Sequence, residues 1–333
     1  MKVLVTGGAG FMGSNFIRYM LKKHESAKIV NLDKLTYAGN LKNLEMIANN
    51  PRYQFVKGDI ADEKIVDRIV NNKIDTIINF AAETHVDRSI LGPKDFIITD
   101  VLGTYTLLEA AKKYKVKKYI QISTDEVYGS TKSGKFSETT NFDPSSPYSA
   151  SKAGGDHLVM AYYKTFGVPI IRTHSCNFFG PNQYPEKLIP LFVTNLLENK
   201  KVPVYGKGLN SREWIYTEDY CQALDLIMNK GKIGEVYNIG TGWEKTNMEI
   251  TRLILRLLGK DKSMIKYVKD RPGHDWRYAI DNRKLKRLGW KPSFTFNEAM
   301  KLTVSWYQHN HKWWQPLKSG QYKKYYKKQY DKR

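Results

Sequence analysis

Residues 3–16 read "VLVTGGAGFMGSNF". An aliphatic run ends at Thr6, and glycines follow at positions 7, 10 and 13, ahead of a stretch with helical period. Glycine at that spacing between strand and helix lets the chain turn tightly, the backbone approach a pyrophosphate, and the helix pack close. The helix start supplies unpaired N–H groups and a positive dipole end for that anion. A second apolar run, "KIVNLD", ends at Asp33, 20 residues after Gly13. A carboxylate there accepts both ribose hydroxyls and repels a 2′-phosphate, so NAD is expected over NADP. Lys34 beside it weakens the exclusion.

The alternation continues. "YQFVKGD", "TIINFAA", "KYIQIST" and "VPIIRTH" read as buried strands, and "EKIVDRIVNN" and "VLGTYTLLEAAKKY" as amphipathic helices. This predicts an α/β fold, a doubly wound parallel sheet with its binding crevice at the strands' carboxyl ends. Asp59 and Ile60, after the third strand, are placed to hold the adenine, and small Ala81 and Ala82 leave room for a cofactor over the backbone. After residue 177 the pattern loosens, then returns in "WIYTEDYCQALDLIMNKG" and "EVYNIGTG". The expected division is 1–177 plus 214–242 as an NAD-binding domain, and 178–213 plus 243–333 as a smaller, mostly helical substrate lobe.

Composition narrows the class. Two cysteines, Cys176 and Cys221, lack metal-ligand spacing, so neither a disulfide framework nor a metal site is expected, and a reducing cytoplasm is the expected compartment. The chain opens straight into "VLVTGG", unlike a signal peptide, and no run approaches the ~18 apolar residues of a membrane span. The net charge of +21 raises nucleic acid as a partner. Much of it is local, since residues 312–333 carry eight basic side chains against Asp331 alone. Interleaved Tyr and Lys suit base stacking. They suit better a terminal segment whose rings pack on the body while its amines stay wet.

In "SPYSASKAGGDHLVMAYYKTFG", Tyr148 and Lys152 stand four apart, on one face of a helix. An ammonium near a phenol is expected to lower the phenol's pKa, and a phenolate can deprotonate a sugar hydroxyl as nicotinamide takes hydride from the same carbon. "ISTDEVYG", 122–129, puts Asp125 and Glu126 behind Thr124 at the end of a strand. Alone, that is as well a helix cap or a charged turn. Beside a carbon made ketonic, one carboxylate can remove the neighbouring proton while a neutral carboxylic acid protonates a departing hydroxyl.

The glycine triplet with Tyr-x-x-x-Lys resembles the extended short-chain dehydrogenase/reductases, which have a Rossmann-type sheet. "STDEVYG" with "YSASK" is similar to their nucleotide-sugar 4,6-dehydratases, nearly end to end: "LDKLTYAGNLKNL", "ETHVDRSI", "NQYPEKLIP", "DRPGHDWRYAID" and "KWWQPLKSGQY" share the likeness. The resemblance implies catalytic roles for Thr124, Asp125, Glu126, Tyr148 and Lys152, with Asp125 as acid toward the C6 hydroxyl and Glu126 as base at C5. It implies NAD held also by Phe11, Met12, Phe80 and Thr99. The implied substrate is a nucleotide sugar, dTDP-glucose first, met by Thr84, Thr124, Asn177, Glu186, Lys187, Arg212, Asn247, Arg271 and His274. It implies a homodimer joined through the helix of Tyr148 and one near 98–113.

Related epimerases usually lack an aspartate at position 125, and a dehydratase or epimerase for a UDP-, CDP- or GDP-sugar is the nearest alternative. Phe178 stands where the family commonly has asparagine, so any side-chain contact to the nicotinamide there is lost. A catalytically dead reductase fold binding RNA through its basic surface is the alternative from another class. The intact set of five argues against it.

Overall fold

The computed structural model describes residues 1–270 and 274–331. Strands β1 (Lys2–Thr6), β2 (Lys28–Asp33), β3 (Tyr53–Lys57), β4 (Thr76–Asn79), β5 (Lys118–Thr124) and β6 (Ile170–Ser175) alternate with helices that include Phe11–Lys23, Glu63–Val70 and Thr104–Lys113. After β7 (Asn177–Phe179), β8 (Val202–Tyr205) and β9 (Ser211–Tyr216), strand β10 (Val236–Ile239) returns to the main sheet. The sheet has seven strands in the order β10-β6-β5-β4-β1-β2-β3, every pair parallel. The strand order reverses between β1 and β4, which is where a doubly wound sheet opens its crevice.

Helices cover both faces, so the central strands are apolar along their length: Val3, Leu4 and Val5 have no exposed surface. One face packs on Phe16, Ile17 and Met20, the other on Val66, Leu107 and Val159. The helix Pro147–Phe166 shows how local sequence sets an element. Ser146 Oγ accepts the N–H of Ser149 and Ser149 Oγ accepts the N–H of Ser146, Pro147 supplies a preset φ, and Gly167 ends the helix in the left-handed region. Its neighbour is less regular. Between Lys94–Phe96 and Thr104–Lys113, residues Ile97–Gly103 form a widened, π-type turn that carries Thr99 and Asp100.

Strand β9 pairs with β7 and with β11 (Glu244–Thr246), while β8 pairs with β12 (Ile265–Val268). Trp214–Tyr216 therefore run in the small sheet. A separate aromatic core, with Phe179, Trp214, Phe296, Tyr307 and Trp314, lies under it. The basic C-terminal segment turns Tyr322, Tyr325 and Tyr330 inward and leaves Lys323 and Lys324 exposed. Among the described residues, no helix is long and apolar enough to cross a membrane.

Candidate active site

A cleft of about 1750 Å³, open mouth included, runs along the carboxyl ends of the main sheet. The turn after β1 forms its floor. Gly7 has φ +65°, and a Cβ there would stand 2.7 Å from the Ala81 nitrogen, so the loop after β4 can lie on it only because the side chain is missing. The helix Phe11–Lys23 starts at this floor with no acid in its first turn and no side-chain cap on its first N–H groups. That end is open and positive, as a pyrophosphate requires. Asp33 braces the loop: its carboxylate accepts the N–H groups of Ala9 at 2.9 Å and Leu35 at 2.7 Å. Burial nevertheless pushes its pKa up, against those N–H groups.

Gly7, Gly10, Phe11, Met12, Gly13, Asp33, Lys34, Asp59, Ile60, Phe80, Ala81, Ala82 and Thr99 all line this cleft, together with Tyr148 and Lys152. Lys34 does not stand free at the ribose end, because Asp59 holds its ammonium at 2.6 Å. A glycine floor, an open helix end and a carboxylate at the tip of β2 fit a dinucleotide.

Thr124 ends β5 and does cap a helix, the short 3₁₀ turn Asp125–Tyr128, by accepting the Glu126 N–H at 3.3 Å. The cap and the chemistry coexist, since Thr124, Asp125 and Glu126 all line the cleft. Asp125 is 1% exposed. Its Oδ1 accepts the Thr124 hydroxyl at 3.3 Å, and its Oδ2, buried, has no hydrogen-bond partner in the structure. Desolvation, then repulsion from Glu126 and Glu213, pushes the pKa of this carboxyl well above the usual range and so favours its neutral form.

Tyr148 differs from the sequence-based expectation. Burial first, then Glu126 and Asp100, pushes its phenol well above the ordinary value, and a hydrogen bond with Thr124 is what opposes them. Lys152 is not among the groups that dominate the shift; its ammonium donates to the Ile122 carbonyl, 2.8 Å away. The physical reason is the density of carboxyl groups around one desolvated phenol. Asp100 is one that sequence reading missed. It sits in the widened turn, accepts the Ser151 hydroxyl at 2.7 Å, and burial raises it to about 6 against the pull of Lys152. Glu83, also missed, lines the cleft with a carboxyl raised to about 7 by desolvation and by Asp100 and Asp95.

On the substrate side, Thr84, Asn177, Glu186 and Lys187 line the cleft, and Asn177 Oδ1 is buried there without a hydrogen-bond partner. Phe178 lines it too, its ring edge-on to Tyr220. Glu186 is already held: Arg88 donates to it from Nε at 3.0 Å and Nη2 at 2.8 Å, and Tyr37 at 2.8 Å. Lys187 donates to the Thr84 carbonyl at 2.6 Å. Arg212, Asn247 and His274 stand outside the lining. Arg212 gives its donors to the Ser211 and Asp275 carbonyls and stacks on Tyr278, and His274 pairs with Asp270 at 2.5 Å. Arg271 lies outside the described residues.

A buried carboxyl whose pKa is raised, a second carboxyl beside it, and a Tyr–Lys pair converge on one dinucleotide cleft. The model of the GDP-mannose 4,6 dehydratase family matches residues 4–303. The chain belongs to that family. It is 51% identical to the low-salt glycan biosynthesis protein Agl12 of Haloferax volcanii, over 92% of this chain and 98% of that one. It is 47% identical to a dTDP-glucose 4,6-dehydratase of Streptomyces niveus, over 96% of each. The solved dTDP-glucose 4,6-dehydratase DesIV of Streptomyces venezuelae, with NAD bound, superposes with a TM-score of 0.93 at 48% identity, over 95% of this chain and all of that one.

Proposed function

We propose that this family member dehydrates dTDP-glucose to dTDP-4-keto-6-deoxyglucose with NAD as a cofactor that is regenerated in each turnover. The observation that carries the reading is Asp125, a buried carboxyl with one oxygen lacking a hydrogen-bond partner and its pKa pushed up by burial, Glu126 and Glu213, in the lining of the same cleft as Glu126 and Tyr148. An enzyme that only inverted C4 would have no use for it.

NAD, when bound, would supply the redox chemistry, accepting hydride from C4 and returning it to C6, and its positive charge would favour the ionised form of Tyr148. The glycine floor, Asp33, Asp59, Ile60, the strip Phe80–Ala82 and Thr99 hold it. Tyr148, ionised in the cofactor-loaded site, takes the C4 hydroxyl proton, with Thr124 orienting the same oxygen and Lys152 held by the Ile122 carbonyl. The ketone at C4 acidifies C5, whose proton passes to Glu126. The C6 hydroxyl leaves as water with the proton of Asp125, and Glu126 returns its proton to C5 as C6 is reduced. The proton gained by Tyr148 replaces the one lost from Asp125 once both exchange with solvent, so the sum is loss of one water.

Thr84, Asn177 and Lys187 address the sugar nucleotide in this scheme, with Glu186 shaping the wall. Arg212, Asn247, Arg271 and His274 are assigned to the sugar nucleotide in the same reading, with 1–177 plus 214–242 as the cofactor domain and the remainder as the substrate lobe. A cytoplasmic homodimer fits the same reading: Ile97, Leu102 and Tyr105, and Phe166 on the Tyr148 helix, are apolar and exposed on the two helices in question. Incubating the protein and NAD with dTDP-, UDP-, CDP- and GDP-glucose tests the function by mass spectrometry. Loss of one water with the dTDP sugar preferred is the expected result; no dehydrated product from any of the four would overturn it.

A further inference from the structure

The C-terminal segment reaches the substrate wall of the cleft. The short helix Val86–Leu91 follows the loop after β4, and its adjacent residues Asp87 and Arg88 face different partners. Arg88 grips Glu186, with Tyr37 completing the carboxylate's contacts. Its guanidinium is sandwiched between two rings, Tyr37 at 3.8 Å and Tyr325, from the C-terminal helix Gln321–Tyr326, at 4.6 Å. Asp87 Oδ2 accepts three donors: Gln329 Nε2 at 2.8 Å, the Tyr205 hydroxyl at 3.1 Å and the Tyr325 hydroxyl at 3.3 Å. Gln329 also reaches the Tyr205 hydroxyl at 2.6 Å. Tyr325 and Gln329 are both buried, at 7% and 2% exposure.

We propose that Tyr325 and Gln329 are positioning residues for the sugar-nucleotide substrate: they clamp Asp87 and Arg88, and through Arg88 they fix Glu186 and Tyr37 on the cleft wall. The idea rests on the functional reading above. The sandwich explains why an arginine so close to the cleft is unavailable as a phosphate clamp. Planar guanidinium between two aromatic faces, forked onto one carboxylate, has a single low-energy orientation. Glu186 and Tyr37 inherit that orientation, and a wall held still loses less freedom when substrate arrives. Tyr325 contributes mainly its ring face to Arg88, and its hydroxyl makes the longest of the three bonds to Asp87.

Steady-state kinetics on the full chain with NAD and dTDP-glucose tests this. Tyr325→Ala is expected to raise KM for dTDP-glucose roughly tenfold with a smaller change in kcat, and to weaken dTDP binding in parallel. Tyr325→Phe, which keeps the ring, is expected to stay within about twofold of wild type. Should Tyr325→Ala not fold, Tyr325→Leu carries the same expectation. Unchanged KM in a folded Ala or Leu variant, or equal damage by Phe, overturns the proposal. So does a loss of NAD affinity as large as the loss for substrate, since that marks general disruption. A wild type inactive on dTDP-glucose overturns the functional reading instead.

Discussion

Asp125 suits the proposed role of acid because burial, Glu126 and Glu213 all oppose its ionisation. Asp125→Asn keeps the shape and removes the proton. Dehydration is expected to fall about 10²–10³-fold, the usual size of a lost general acid, while C4 oxidation persists as reduced-cofactor absorbance without dehydrated product. Because the protonated form is the active one, wild-type turnover should decline as alkaline pH ionises Asp125, and the residual rate of the Asn variant should lack that limb. Asp100 gives a stability test. Its carboxyl moves from 3.8 to about 6 on folding, so folding gains most below pH ~4 and the gain is lost as pH rises through ~6. The ionised group then costs on the order of 3 kcal/mol. Asp100→Asn should raise the denaturation midpoint at pH ~8 and leave it nearly unchanged at pH ~4. Neither Asp100 nor Glu83 was legible in the sequence, because what makes each unusual is first its burial, which only the fold sets, with Asp100 and Asp95 adding to it at Glu83. Arg212 is named from its motif "SREW" as a nucleotide contact, and the fold adds what the motif could not show, that its guanidinium also donates to the Ser211 and Asp275 carbonyls.

The Tyr–Lys spacing on the helix Pro147–Phe166 was legible because that signal is local, whereas its capping serines came only with the structure. The widened turn Ile97–Gly103 packed against it was not. Gly155 explains the contact: a Cβ there would lie 2.6 Å from the Asp100 carbonyl oxygen. Helix propensity alone favours Gly155→Ala by about 1 kcal/mol. The clash should reverse the sign, for a net loss of roughly 2 kcal/mol in urea unfolding, together with a lower kcat as Tyr148 and Lys152 shift. If that variant proves more stable than wild type, the two helices are less tightly fitted than described.

The seven-stranded sheet follows from the apolar runs, and the run of six strands with helices between them could be read before any coordinates. The small sheet could not, since β7, β9 and β11 are short and find one another only across long separations. The exposed apolar face on Ile97, Leu102, Tyr105 and Phe166 predicts the assembly. If the proposed homodimer uses it, wild type should scatter as a dimer and Ile97→Glu with Leu102→Glu should halve that mass; a monomeric wild type, or a variant that stays dimeric, overturns this contact. The route of the chain has one more implication. Strand β10 pairs with β6, yet the chain between them departs to build the other lobe. A polypeptide severed anywhere in that excursion leaves β6, with Ile170 and Ile171 wholly buried in the intact protein, as a bare rim of unpaired amides. Such rims recruit copies of themselves. Neither fragment is therefore a usable module, and coexpressed halves should precipitate unless they meet before the rim finds its own kind.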